Sequence, residues 1–212
     1  MEVIWYGHSC FRLKSRGATV VTDPCGQDVG YNVPRMRADI VTISLDQPDY
    51  NNCGLVRGSP KAIVGPGEYE VKGVFITGIA TPLKKAKGRE RLKNTIYLFD
   101  FEELTVCHLG SLDHVPSQAH VEALSDIDLL LIPVGGRTTI GATQAAEVIG
   151  LLEPRIVVPM HYKTKAIKAR LQPVTAFLKE MGLSQAKPRE SLDITKSKLP
   201  SETQIIVLTY EK

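Results

Sequence analysis

The sequence predicts an α/β (α+β) fold in which sheets are covered by helices, and three observations carry that expectation. The first half of the chain is a series of short runs rich in β-branched and aromatic residues, each cut by Gly, Pro or Asp. The second half alternates helix-like stretches with short apolar runs of buried-strand type. The length of 212 residues suits one full core and is too short for two ordinary domains and a linker, so residues 1–212 read as a single domain.

In order, Val3–Tyr6, Cys10–Leu13, Thr19–Thr22, Ile40–Ser44 and Lys61–Val64 read as strands. A hairpin follows, Glu70–Lys72 and Val74–Ile79 turning at Gly73, and a second joins Thr95–Phe101 to Thr105–Leu109. Helices are expected at Ser117–Leu124, Thr143–Leu152 and Val174–Met181, with Ser117 and Thr143 as N-caps and Gly182 as a stop. Between them lie the strands Leu129–Pro133 and Ile156–Pro159, and a last strand is expected at Gln204–Thr209. The polar stretch Ser184–Ser201 reads as a surface excursion.

Composition removes several classes. The longest apolar run, Leu129 to Val134, is far too short to cross a bilayer. The opening residues Met1–Trp5 lack the basic and long apolar regions of a secretory signal. Cys10, Cys25, Cys53 and Cys107 are irregularly spaced without a paired Cys-x-x-Cys, which favours reduced thiols in a cytoplasmic protein. Cys10 and Cys107 are expected to fill core space. A net charge of +3 names no partner, and the absence of basic–aromatic interleaving argues against nucleic acid.

Six motifs stand in fixed order: Gly7-His8-Ser9-Cys10-Phe11, Thr22-Asp23-Pro24, Gly65-Pro66-Gly67-Glu68-Tyr69-Glu70-Val71, His108-Leu109-Gly110, Pro133-Val134-Gly135-Gly136 and Pro159-Met160-His161-Tyr162. Together they make Met1 to about Lys168 resemble the zinc-dependent hydrolases of the metallo-β-lactamase superfamily, in the branch related to ascorbate-phosphate lactonases. The resemblance implies a four-layer αββα sandwich with a metal site at one edge of its two sheets.

The resemblance also implies where metal ligands would stand. The superfamily's His-x-His-x-Asp-His motif falls on Leu45-Asp46-Gln47-Pro48-Asp49-Tyr50, so Leu45, Gln47 and Tyr50 occupy histidine positions and only Asp49 matches. Leu83 falls at the first zinc's remaining histidine, Ser111 replaces the bridging aspartate, and the final histidine is kept as His161. A leucine has no ligand atom, and a neutral glutamine amide is a poor zinc ligand beside imidazole. Two-zinc hydrolysis is therefore not expected, and at most one zinc is, held by Asp49 and His161 with little affinity. The resemblance then implies a degenerate member, a pseudoenzyme that binds a small anionic molecule or a partner. The rival is an active hydrolase using one metal, or an altered ligand set drawn from Asp49, His161, Tyr50 and His114.

His8 and His108 lie in strand-end motifs and are expected on the cleft with Tyr50 and Ser111. His120 reads as solvated surface. Two basic segments, Lys84 to Lys93 and the group Lys163, Lys165, Lys168 and Arg170, each follow a ligand position directly. Lys84 and Lys163 are accordingly expected at the cleft, where they would attract an anion.

Overall fold

The structure, a computed structural model, describes residues 1–84 and 92–211; most of the first basic segment, Lys85 to Arg91, lies outside the described residues. In chain order the elements are β1 (Glu2–Gly7), β2 (Cys10–Lys14), β3 (Thr19–Thr22), β4 (Met36–Arg37), β5 (Ile40–Ile43), β6 (Val56–Arg57) and β7 (Lys61–Val64). Next come β8 (Gly67–Val71), β9 (Val74–Pro82), β10 (Lys93–Asp100), β11 (Thr105–His108) and α1 (Gln118–Ala123). The last are β12 (Leu129–Pro133), α2 (Ala142–Leu152), β13 (Ile156–Met160), α3 (Val174–Glu180), β14 (Ser191–Asp193) and β15 (Gln204–Ile205).

The strands build a six-stranded sheet, ordered β14-β1-β2-β3-β5-β7, and a seven-stranded sheet, ordered β15-β13-β12-β11-β10-β9-β8. Both are mixed: β3, β5 and β7 run parallel in the first, and β11, β12, β13 and β15 run parallel in the second. The larger core cluster joins Val3, Phe11, Leu13 and Ile40 of the first sheet to Tyr97, Phe99 and Leu131 of the second, and extends to Val148 and Phe177 of the helices. A smaller cluster covers the first sheet's other face, where Tyr6, Cys10, Val21 and Val41 meet Val29, Tyr31, Val33 and Met36. That outer cover is irregular chain with a 3-10 turn at Gln27–Val29, whereas α2 and α3 pack on the larger cluster. The sheets are pinned together by the Tyr97 hydroxyl, which donates to Ile43 O at 2.9 Å and accepts from Gly65 N–H at 3.0 Å.

Three expectations need correction. Ser191–Asp193, inside the stretch read as a surface excursion, pairs with β1; one buried Leu192 between polar neighbours is too short a run to show alternation. The last strand is only Gln204–Ile205, and beyond it Leu208 bridges Arg189 instead of continuing the ladder. Helix α2 is capped by Gly141 and not by Thr143, while Ser117 does cap α1, accepting from His120 N–H at 3.4 Å. Cys10, Cys25, Cys53 and Cys107 are all free thiols, and Cys10 and Cys107 are buried in the core. Among the described residues no helix is long and apolar enough to cross a membrane.

Candidate functional site

Parallel strands deliver their following loops to one edge of a sheet, and ligand sites gather there. Here the carboxyl ends of β3 and β5 meet those of β11, β12 and β13, because Thr95 N–H, in the second sheet, donates to Ser44 O at 2.8 Å, at the end of β5. The result is a cleft of about 610 Å³, within the usual size of small-molecule sites. Its walls include Leu45, Gln47, Asp49 and Tyr50 after β5, Leu83 after β9, Arg137 after β12, His161 after β13, and His8 from the β1–β2 turn.

Two close approaches fix these loops. A β-carbon on Gly110 would stand 2.4 Å from the Ser44 β-carbon, and one on Gly135 would stand 2.1 Å from the His161 carbonyl oxygen. Only glycine therefore lets the loops after β11 and β12 close onto their neighbours. The backbone is also strained at the cleft: His8 (φ 51°), Arg137 (φ 62°) and His161 (φ 51°) are left-handed, as is Asp23 (φ 40°) behind them. Such conformations cost a non-glycine residue about 1–3 kcal/mol each and persist where surrounding structure enforces them.

The floor is a stack of rings. His8 sits edge-on to Tyr50 (centroids 4.7 Å apart) and to His161 (4.6 Å). Its Nδ1 is buried and has no partner among the described residues. His161 N–H donates to His8 O at 3.1 Å, and its Nδ1 lies 3.2 Å from the Thr139 hydroxyl. Burial pushes the His161 imidazole down to about 4, and burial, then His161 and His108, hold His8 well below its ordinary value, so both rings are neutral near pH 7. The Tyr50 hydroxyl donates to Ser111 Oγ at 3.0 Å, and burial raises its pKa, keeping it protonated. Ser111 N–H donates in turn to Asn94 Oδ1 at 2.7 Å.

Behind the floor, Asp23 accepts from Ser44 N–H at 2.7 Å and Ser44 Oγ–H at 2.6 Å. Burial pushes this carboxyl up to about 7 against the lowering effect of both Ser44 bonds. His108 Nε2 lies 3.9 Å from Asp23 Oδ2 and donates to Ser9 O at 3.0 Å. Burial lowers the His108 imidazole to about 4, so it is neutral before Asp23 ionises and the two do not form an ion pair.

The donor set does not fit the two-zinc centre that the resemblance implies. Among the described residues no group of three or more His, Cys, Asp or Glu side chains is arranged to hold a metal ion. Three of the seven positions are Leu45, Gln47 and Leu83, all on the cleft wall. Ser111 stands where a bridging carboxylate would, and Tyr50 spends its proton on it.

Asp49, His161, His8 and Tyr50 do come together, although Asp49 and His161 are far apart in sequence. Ser111 is reached from the cleft through Tyr50. Three expected positions differ. His108 is fully buried behind the cleft, because its ring packs edge-on to Phe11 and its Nε2 is spent on Ser9 O. Lys163 is not on the wall, its Nζ donating to Ile167 O at 2.8 Å, and Lys168 of the same loop lines the cleft instead. Lys84 is exposed outside the cleft, while its neighbour Leu83 lines it. His114, of the rival ligand set, is not itself on the wall but next to it, with Nδ1 2.8 Å from Oδ1 of the wall residue Asp113. Sequence reasoning missed Asp28, Asp113 and Arg137 on the wall. Arg137 directly follows the Pro133-Val134-Gly135-Gly136 motif, which was the available signal.

Comparison with known proteins agrees with this geometry. A family profile described as "Beta-lactamase superfamily domain" matches residues 2–161. A UPF0173 protein of Pyrococcus abyssi is 30% identical over 187 residues, covering 77% of this chain and 84% of the relative. A UPF0173 metal-dependent hydrolase of Pyrococcus horikoshii is 34% identical over 100 residues, 46% of this chain and 44% of that protein. A Thermotoga maritima protein assigned to the Zn-dependent hydrolases of the metallo-β-lactamase superfamily superposes with a TM-score of 0.82 at 38% identity, over 98% of this chain and 97% of the other. The chain belongs to the β-lactamase superfamily domain family and is a metallo-β-lactamase-fold relative of the UPF0173 metal-dependent hydrolases.

Proposed function

We propose that this chain is a degenerate member of its superfamily, a pseudoenzyme that uses the cleft to bind a small molecule and not to run two-metal hydrolysis. The observation that carries the reading is that Leu45, Gln47 and Leu83 line the same cleft as Asp49 and His161. In a two-metal hydrolase the metals bring the pKa of bound water from ~15.7 to about 7 and stabilise the developing oxyanion. Leucine and neutral glutamine supply neither effect. What they supply is an apolar wall with one amide, suited to holding a ligand's carbon skeleton. The strained backbone at His8, Arg137 and His161 supports continued use of the site, since it costs stability that a mere relic would not need. Any anionic group on the ligand would meet Arg137 and Lys168, which take the place first expected for Lys84 and Lys163.

The relatives' description as metal-dependent hydrolases supports a second reading, in which a single metal rests on Asp49 and His161. A variant restoring the ligand set (Leu45→His, Gln47→His, Tyr50→His, Leu83→His and Ser111→Asp) separates the two. Dialysed against zinc and then buffer, the restored variant should retain about two metals per chain and the parent well under one. A parent that retains one supports the second reading, and a parent that retains two defeats both.

A further inference from the structure

We infer that the cleft takes a small zwitterion with an apolar body, of the kind presented by a short peptide or an amino-acid derivative. This rests on the binding reading above and names its ligand class. The wall carries three carboxylates, Asp28, Asp49 and Asp113, the last taken up by His114 (Oδ1 2.8 Å from Nδ1), and two cations, Arg137 and Lys168. Among the described residues none of Asp28, Asp49, Arg137 and Lys168 is in an ion pair, so the two signs face one cavity without neutralising each other. A ligand with a single charge would satisfy one pair and be repelled by the other; a ligand carrying both charges can satisfy both. Leu45 and Leu83 give the apolar surface against which its body would rest. At the floor, the unpartnered Nδ1 marks His8 as a polar group that the protein alone does not satisfy. All four charges are exposed, so each contact is screened and should be worth about two- to fivefold in affinity.

The test is calorimetric titration of the full chain with three probes that share a leucyl-leucine body: leucyl-leucine (both charges), N-acetyl-leucyl-leucine (anion only) and leucyl-leucinamide (cation only). Leucyl-leucine should bind about fivefold or more tighter than either single-charge probe. The double variant Asp28→Asn, Asp49→Asn should abolish its advantage over N-acetyl-leucyl-leucine and leave its advantage over leucyl-leucinamide. The double variant Arg137→Ala, Lys168→Ala should do the reverse. N-acetyl-leucyl-leucine binding as tightly as leucyl-leucine, or leucyl-leucine giving no heat at millimolar concentration, overturns the zwitterion assignment. Zinc retention measured on the same parent sample judges the underlying reading separately: two metals per chain defeat that reading whatever the probes do.

Discussion

Replacing Asp23 by Asn should remove a pH-dependent weakness from the fold. Asp23 is fully buried, and both its oxygens accept from Ser44. An asparagine fits the same space, with its Oδ1 accepting from Ser44 N–H and its amide donating to a rotated Ser44 hydroxyl. Burial raises the Asp23 carboxyl from 3.8 to about 7, so the folded state holds this proton where the unfolded chain has released it. The sign follows: this contribution to stability is fully present below pH 3.8 and is lost as pH rises through about 7. A shift of about 3 units corresponds to something on the order of 4 kcal/mol. His8, His108 and His161 run the other way; their lowered values give stability present above pH 6.5 and lost as pH falls, through about 4 for His108 and His161. Comparing variant with parent cancels those histidines. With a urea m-value of about 2 kcal/mol/M, the two midpoints should be similar at pH 4 and Asp23→Asn should lead by about 1–2 M at pH 8. Midpoints that move in parallel from pH 4 to pH 8 would refute the claim that Asp23 is carried in the fold as a protonated acid.

Three further outcomes follow from the packing. Tyr97→Phe strips the second sheet's hydroxyl that reaches across the sandwich to Ile43 O and Gly65 N–H, and should cost about 1–3 kcal/mol, a fall in Tm of roughly 2–10 °C by calorimetry. Gly135→Ala drives a β-carbon to 2.1 Å from a backbone oxygen that cannot swing aside; a Tm within about 1 °C of the parent would show that the two loops are not in contact. Tyr50→Phe should lower stability by only about 0.5–1.5 kcal/mol and leave metal content unchanged, and any loss of bound metal would assign Tyr50 as a ligand after all.

Most of the framework was legible because its elements are long enough to show their period. Thr19–Thr22, Lys61–Val64 and Leu129–Pro133 were bounded as the structure has them, each stopped by a following Asp, Gly or Val-Gly-Gly turn. The hairpin turn at Lys72 and Gly73 was marked by the glycine, and both residues are left-handed. Two-residue strands such as Met36–Arg37 and Val56–Arg57 have no period to read, and their pairing depends on chain that folds over the first sheet. In the site, motif order brought Asp49 and His161 to one cleft, but it could not aim individual side chains. Lys163 and Lys168 sit five positions apart on one basic loop, and the structure engages Lys163 Nζ with Ile167 O while Lys168 lines the cleft. His108 lies in a strand-end motif as His8 does, yet its ring goes to the core because Ser9 O and Phe11 hold it there.

The central claim is that the cleft has lost its two-metal chemistry at Leu45, Gln47 and Leu83. Elemental analysis of the full chain, purified without added metal and without chelators, tests it most directly. The donor set predicts well under one zinc, iron or manganese per chain. Two tightly held metals per chain would contradict the account.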